Sequence, residues 1–249
     1  MERPISINTP DKKRSYGLLR GSVRRPLIVQ VHGIARNLNE ALHYNAARYF
    51  EKHGFSSFRF NLYSWQKRAR RLHECIFATH GGDIDTVLRY LESRGAKNIF
   101  LVGHSFGLPS ILHAKRRNFC AVAAWDGSLF PTNHLDISKR IQKPRGRLLD
   151  EGYLIVVGER MARDSQRIKS VDLLKKWDKP ISFITVNDNK NGNWNAAKRM
   201  HKVVKEPKEL IVIRDAHHDF TKEGKQEELY AATVKWFKQW IQADWALVL

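Results

Sequence analysis

Cysteine is scarce in this 249-residue chain, which has only Cys75 and Cys120. Two thiols so far apart give no framework of bridges, so a disulfide-stapled miniprotein is excluded and a reducing compartment is the natural setting. Cys120, inside the apolar run Cys120–Trp125, reads as a reduced, buried thiol. Long apolar runs are also missing. No stretch approaches a membrane span, and the opening residues MERPISINTPDKKR lack the apolar core of a secretion signal. The expectation is a cytoplasmic protein with no transmembrane segment. Acidic residues are in deficit, 25 Asp+Glu against 44 Lys+Arg, for a formal net charge of +19. Such an excess predicts weak attraction to nucleic acid, anionic membrane surfaces or acidic substrates. A basic protein with solvated Lys and Arg faces has the same composition, so charge by itself selects no function.

A hydrophobic fraction of 42% supplies a sizeable core and rules out disorder. Short apolar runs alternate with amphipathic stretches, which predicts an α/β fold: a mostly parallel, eight-stranded sheet with helices on both faces. The expected strands are Ile5–Asn8, Tyr16–Arg20, Leu27–His32, Ser57–Leu62, Ile99–Val102, Ala121–Trp125, Ile181–Val186 and Leu210–Ile213. Asn39 is expected to cap a helix running to His53, with Gly54 as a left-handed stop. A second helix puts Ile84, Val87, Leu88 and Leu91 on one face and ends at Gly95. A last helix turns Leu229, Trp236, Phe237, Trp240 and Ile241 toward the sheet. There is no internal repeat and no low-complexity linker, which suits a single domain. Residues 127–179 are too many for one crossover helix and read as a small cap or lid insertion.

One motif carries chemistry. The run Ile99–Val102 leads into Gly103-His-Ser105-Phe-Gly107, an apolar strand followed by Gly-x-Ser-x-Gly and a helix-capable segment. A sharp strand-to-helix turn strains the serine backbone, and glycines on either side keep side chains out of the crowded turn. The hydroxyl then stands at a helix N-terminus, where N–H groups favour developing negative charge. Ser105 is therefore the candidate nucleophile.

Strand–GHSFG–helix in mid-chain, preceded by VQVHG after another strand, resembles the α/β-hydrolase superfamily. The likeness is greatest to its small-cap branch of esterases, monoglyceride-lipase-like and serine aminopeptidase-like proteins, and it extends in element order over nearly the whole chain. The resemblance implies that the backbone N–H groups of Ile34 and Phe106 form the oxyanion hole. It implies a base after the last strand, where Arg214-Asp-Ala-His-His-Asp-Phe220 fits His218 better than His217, and leaves His32 as a structural or pocket-edge residue. It places the orienting carboxylate after the strand Ile181–Val186, at Asp188, although an ungapped count from Pro180 reaches Asn189. Asp126, at the end of the preceding strand, is the alternative acid because some superfamily members keep theirs there.

Ser57–Leu62 leads into a basic run, and ligands in such sheets bind beyond the carboxyl ends of strands. Lys67, Arg68, Arg70 and Arg71, with Arg36 from a neighbouring loop, are thus expected at the pocket rim as contacts for an anionic substrate. Together these features predict hydrolysis of a small-molecule carboxylic ester or thioester through an acyl-enzyme, without cofactor or metal, with amide hydrolysis as the nearest variant. The rival is a weakly active or inactive protein on the same scaffold that binds nucleic acid or another anionic partner.

Overall fold

A computed structural model of the chain describes residues 1–128, 139–150, 154–167, 170–188 and 193–241. Its main sheet is built from β1 (Glu2–Asn8), β2 (Arg14–Arg20), β3 (Leu27–Val31), β4 (Ser56–Phe60), β5 (Ile99–His104), β6 (Ala121–Trp125), β10 (Ile181–Val186) and β11 (Lys208–Ile213). These eight strands lie in the order β1-β2-β4-β3-β5-β6-β10-β11. β1 and β2 form an antiparallel hairpin and β2 runs antiparallel to β4, while every neighbouring pair from β4 to β11 is parallel.

The central strands read as continuous apolar runs because both faces are covered. Leu27, Val29, Val31, Ile99 and Leu101 face a core shared with α2 (Phe77–Ser93), α3 (Gly107–Leu112), α5 (Ser170–Lys175) and α6 (Asn193–Val203). Ile28, Phe100, Val102, Ala123 and Trp125 face the other core, beneath α1 (Ala41–Lys52) and α7 (Lys225–Lys238). The expected helical stripes take these places: Ile84, Val87, Leu88 and Leu91 are buried on one side, and Leu229, Trp236 and Phe237 on the other, with Trp240 and Ile241 packed at the edge. Gly54 and Gly95 end their helices at φ of 91° and 94°. Asn39 does not cap α1. Glu40 holds that position without a side-chain cap, because Asn37 Oδ1 already accepts the Asn39 N–H at 2.8 Å and closes the preceding turn one residue earlier.

Between β6 and β10 the chain forms a second, three-stranded antiparallel sheet, β7 (Lys139–Gln142), β8 (Arg145–Asp150) and β9 (Leu154–Gly158), followed by α4 (Glu159–Arg167) and α5. The basic stretch 139–147 is the β7–β8 hairpin of this unit. Of the expected insertion, residues 129–138, 151–153 and 168–169 lie outside the described residues, as does Asn189. Leu149, Val157, Met161 and Ala162 of the inserted unit share a buried cluster with Ile34, Cys75, Phe77 and Phe106. Phe77 N–H also donates to Asp164 Oδ2 at 3.1 Å. The inserted unit therefore sits on the loops that follow β3 and β5. Both cysteines are free; Cys75 is buried, whereas Cys120 is only half-buried.

Candidate active site

Ser105 follows β5 with φ of 51°, the left-handed region that costs a non-glycine residue strain. Its N–H donates to Trp125 O at 3.0 Å, tying the turn to the end of β6. The glycines of the motif are sterically required. A Cβ on Gly107 would stand 2.3 Å from Val31 O, and one on Gly103 would stand 2.7 Å from Ile111 Cδ1. The loop after β3 also passes close, since a Cβ on Gly33 would lie 3.2 Å from Ser105 Cβ. Ile34 and Phe106, the expected oxyanion pair, thus flank Ser105 from two loops. Among the described residues neither of their N–H groups has a hydrogen-bond acceptor. Ser105 Oγ lies 3.4 Å from Ser128 Oγ, its hydrogen-bond partner among the described residues.

His218 lies in the turn after β11, where the resemblance placed the base. The carboxylate against it is Asp126. His218 Nδ1 donates to Asp126 Oδ2 at 2.6 Å. Asp126, with φ of 41°, directly follows β6 and is fully buried. Its Oδ1 accepts from Thr185 Oγ1 at 2.6 Å and from Val186 N–H at 3.3 Å. The Asn193 amide donates to Asp126 Oδ2 at 2.9 Å and to its backbone O at 3.1 Å. Burial would raise the Asp126 pKa, but His218, Thr185 and Asn193 together hold it below the usual carboxylate value. Burial would likewise lower His218, yet the Asp126 hydrogen bond and charge raise it above an ordinary imidazole. The expectation that Asp188 orients His218 is corrected by this geometry: the Asp188 carboxylate lies 3.5 Å from Nδ1 of His217, on the exposed side of the same turn. Thr185, Asn193 and Ser128 were not anticipated. Only the Asp-Gly-Ser sequence after β6 gave any signal for that side of the site.

Two further histidines, His32 and His104, hold the loops around the site. His32 donates from Nδ1 to Gly33 O at 2.8 Å and accepts Leu62 N–H at Nε2, 3.1 Å away; burial lowers its pKa to about 4. It thus fixes the loop carrying Ile34. His104, inside the serine motif, donates from Nε2 to His218 O at 3.1 Å, which joins the serine turn to the histidine turn. Burial and the charge of His218 lower His104 to about 4. On the far side Arg36 donates to Asp219 at 2.8 Å and lies 3.4 Å from Glu40, linking the loop after Ile34 to the residue after His218. Burial raises Glu40 to about 7, because Arg36 gives its shorter contact to Asp219, whose own charge opposes ionisation of Glu40. Two trios, Glu40–His43–His104 and His104–His218–Asp219, bring metal-ligating atoms within 4.8 Å of one another. The cation set against their carboxylates among the described residues is Arg36.

The basic run separates into different roles. Arg70 does not reach a pocket rim: it is buried, paired with Asp83 at 3.0 and 2.9 Å and with Asp11 at 2.8 Å. Arg68 is exposed, but its guanidinium donates to the Lys12 carbonyl at 3.2 and 2.9 Å. Lys67 is exposed and accepts Tyr16 Oη at its carbonyl. Neither is on the wall of the cavity beside the loop after β3; the turn that carries them closes against β2, where Arg14 N–H donates to Arg68 O at 2.8 Å. Arg36 and Arg71 do line that cavity, of about 1260 Å³. Ser105 and His218 are not on its wall. Two of its wall residues, Tyr63 and Leu72, also line a closed apolar contact with Ile34 and Phe106 that has no room for a water molecule.

This architecture is the α/β-hydrolase fold. The structure is similar to the esterase domain of a Rhodothermus marinus protein, with a TM-score of 0.78 and 15% identity over 97% of this chain and 100% of that one. It is also similar to Est1E from Butyrivibrio proteoclasticus, with a TM-score of 0.78 and 18% identity over 95% and 98%. A dienelactone hydrolase from Anabaena variabilis matches with a TM-score of 0.70 and 14% identity over 97% and 99%. No family model matches the sequence, and no curated protein does. No helix among the described residues is long and apolar enough to cross a membrane.

Proposed function

We propose that this chain is a serine hydrolase that cleaves a carboxylic ester or thioester through an acyl-enzyme on Ser105. The observation that carries the reading is the buried Asp126 carboxylate 2.6 Å from Nδ1 of His218, in a turn that the His104 hydrogen bond ties to the strained strand-to-helix turn of Ser105. With Nδ1–H fixed on Asp126, the lone pair of His218 is at Nε2, the nitrogen that takes the serine proton. Ser105 Oγ turns from Ser128 toward His218 and attacks the substrate carbonyl. The tetrahedral oxyanion accepts from the free N–H groups of Ile34 and Phe106. As the intermediate collapses, His218 returns the proton to the leaving alkoxide or thiolate. Water, deprotonated by the same imidazole, then cleaves the acyl-serine and regenerates Ser105.

An anion-binding scaffold without chemistry has less support, since the basic run is divided between an internal ion pair and backbone contacts. The test is fluorophosphonate labelling together with turnover of a short-chain aryl ester. Labelling and turnover that both vanish in Ser105→Ala are expected. Equal rates for wild type and Ser105→Ala would overturn the assignment.

A further inference from the structure

The cavity beside the loop after β3 has a lopsided wall. Its surface is mainly apolar, with Leu38, Tyr63 and Leu154 among its contributors, and among the described residues it includes Arg36 and Arg71 but no Asp or Glu. The two arginines differ. Arg36 is paired with Asp219 at 2.8 Å and lies 3.4 Å from Glu40. The Arg71 backbone N–H donates to Glu74 Oε2 at 2.8 Å, but its guanidinium has no carboxylate partner among the described residues; one arm donates to Ser64 O at 2.6 Å and the group lies 4.9 Å from the Trp65 ring centroid. That stack fixes the plane of the guanidinium and leaves N–H donors for an acceptor, the arrangement suited to a carboxylate or phosphate. Trp65 and Leu154, which are 86% and 66% exposed, both line the cavity. Apolar side chains left exposed at a cavity mouth mark a surface that is covered when a ligand arrives. At about 1260 Å³ the space exceeds the few hundred to about a thousand Å³ of ordinary small-molecule pockets. A short acyl group would leave most of it empty.

We propose that this cavity receives an extended apolar arm of the substrate whose far end is anionic, with Arg71 on Trp65 holding that end. Ala35 and Arg36 on the cavity wall directly follow Ile34, and Tyr63 and Leu72 pack against both the cavity and the Ile34–Phe106 contact, so the end of the arm nearest the expected oxyanion pair carries the reacting carbonyl. The inference rests on the serine-hydrolase reading and names its substrate class: esters of long acids with a terminal carboxylate, or with a terminal phosphate of the same chemistry.

The test compares mono-p-nitrophenyl esters of straight-chain dicarboxylic acids, adipic to dodecanedioic, with p-nitrophenyl esters of the matching monocarboxylic acids. The ratio of kcat/KM, anionic over neutral, should exceed about tenfold at one chain length, fall with added salt, and collapse toward one in Arg71→Gln through KM. Arg71→Lys should restore part of it, and Trp65→Ala should lower it. Terminal phosphate esters run beside the carboxylates distinguish the two anions. A ratio near one at every length, or one that Arg71→Gln leaves unchanged, overturns the proposal while the neutral esters still report a working hydrolase. If no ester is turned over and no fluorophosphonate labels Ser105, the hydrolase reading has failed. The cavity is then judged by tryptophan fluorescence titrated with dodecanedioate, with Trp65→Phe identifying the reporting ring. Saturable quenching lost in Arg71→Gln supports an anion-ended ligand, and its absence in wild type overturns it.

Discussion

His218 Nδ1 and Asp126 Oδ2 meet at 2.6 Å although 92 residues separate them. Every other acceptor position of that carboxylate is also engaged, by the Thr185 hydroxyl, the Val186 N–H and the Asn193 amide. A buried acid so fully hydrogen-bonded stays ionised and immobile, which is what orienting an imidazole requires.

Asp126→Asn should therefore lower kcat/KM for an aryl ester on the order of a thousandfold or more, by favouring the wrong imidazole tautomer. Asp188→Asn should stay within about threefold of wild type, since its carboxylate faces His217. Steady-state kinetics on both folded variants decides the matter. A larger loss in the Asp188 variant would return the acid to that position.

The pH–rate profile follows from the raised pKa of His218. The base works only when neutral, so kcat/KM should rise with pH through an apparent pKa above the ordinary imidazole value of about 6.5. Asp126→Asn removes the main groups that raise it and leaves burial, which lowers it. The acid limb of the residual activity should then move to lower pH. An unmoved limb would mean that a group other than His218 titrates there.

Glu40 gives a stability effect of opposite sign to that of a typical surface carboxylate. Its folded pKa of about 7 exceeds the 4.5 of an ordinary glutamate, so between those values the native state keeps a proton that the unfolded chain has released. Stability therefore falls as pH rises through that window, by on the order of 2–3 kcal/mol. Chemical denaturation of Glu40→Gln between pH 4.5 and 7 should show a shallower decline than wild type. Parallel curves would show that Glu40 is ionised throughout.

Arg70 and Arg71 are adjacent in sequence and should behave differently. Arg70→Gln leaves Asp83 buried without its cation and should cost about 3 kcal/mol or more in urea denaturation. Arg71→Gln keeps the backbone bond to Glu74 and removes a guanidinium with no carboxylate partner among the described residues, so it should cost under about 1 kcal/mol. Similar losses for the two would show that the division of the basic run is misread.

What lay within a short window of sequence was legible. The serine turn needs a strand, small residues at Gly103 and Gly107 and a following helix start, and all lie within a few positions of Ser105. The two-sided core was legible as well, because strands covered on both faces must be apolar throughout. The acid was not. Trp125, Val186 and Ile213 end three neighbouring parallel strands at one edge of the sheet, so Asp126 and Asp188 both arise within reach of the turn that carries His217 and His218. Which carboxylate meets which imidazole depends on the positive φ at Asp126 and on the Asn193 amide that α6 supplies from 67 residues away. Composition was equally silent on Arg70 and Arg71, since a charge count does not register partners such as Asp11 and Asp83, 59 and 13 residues from Arg70 in the chain. Pairings across such separations are set by how strands and helices pack, and only the tertiary structure decided them.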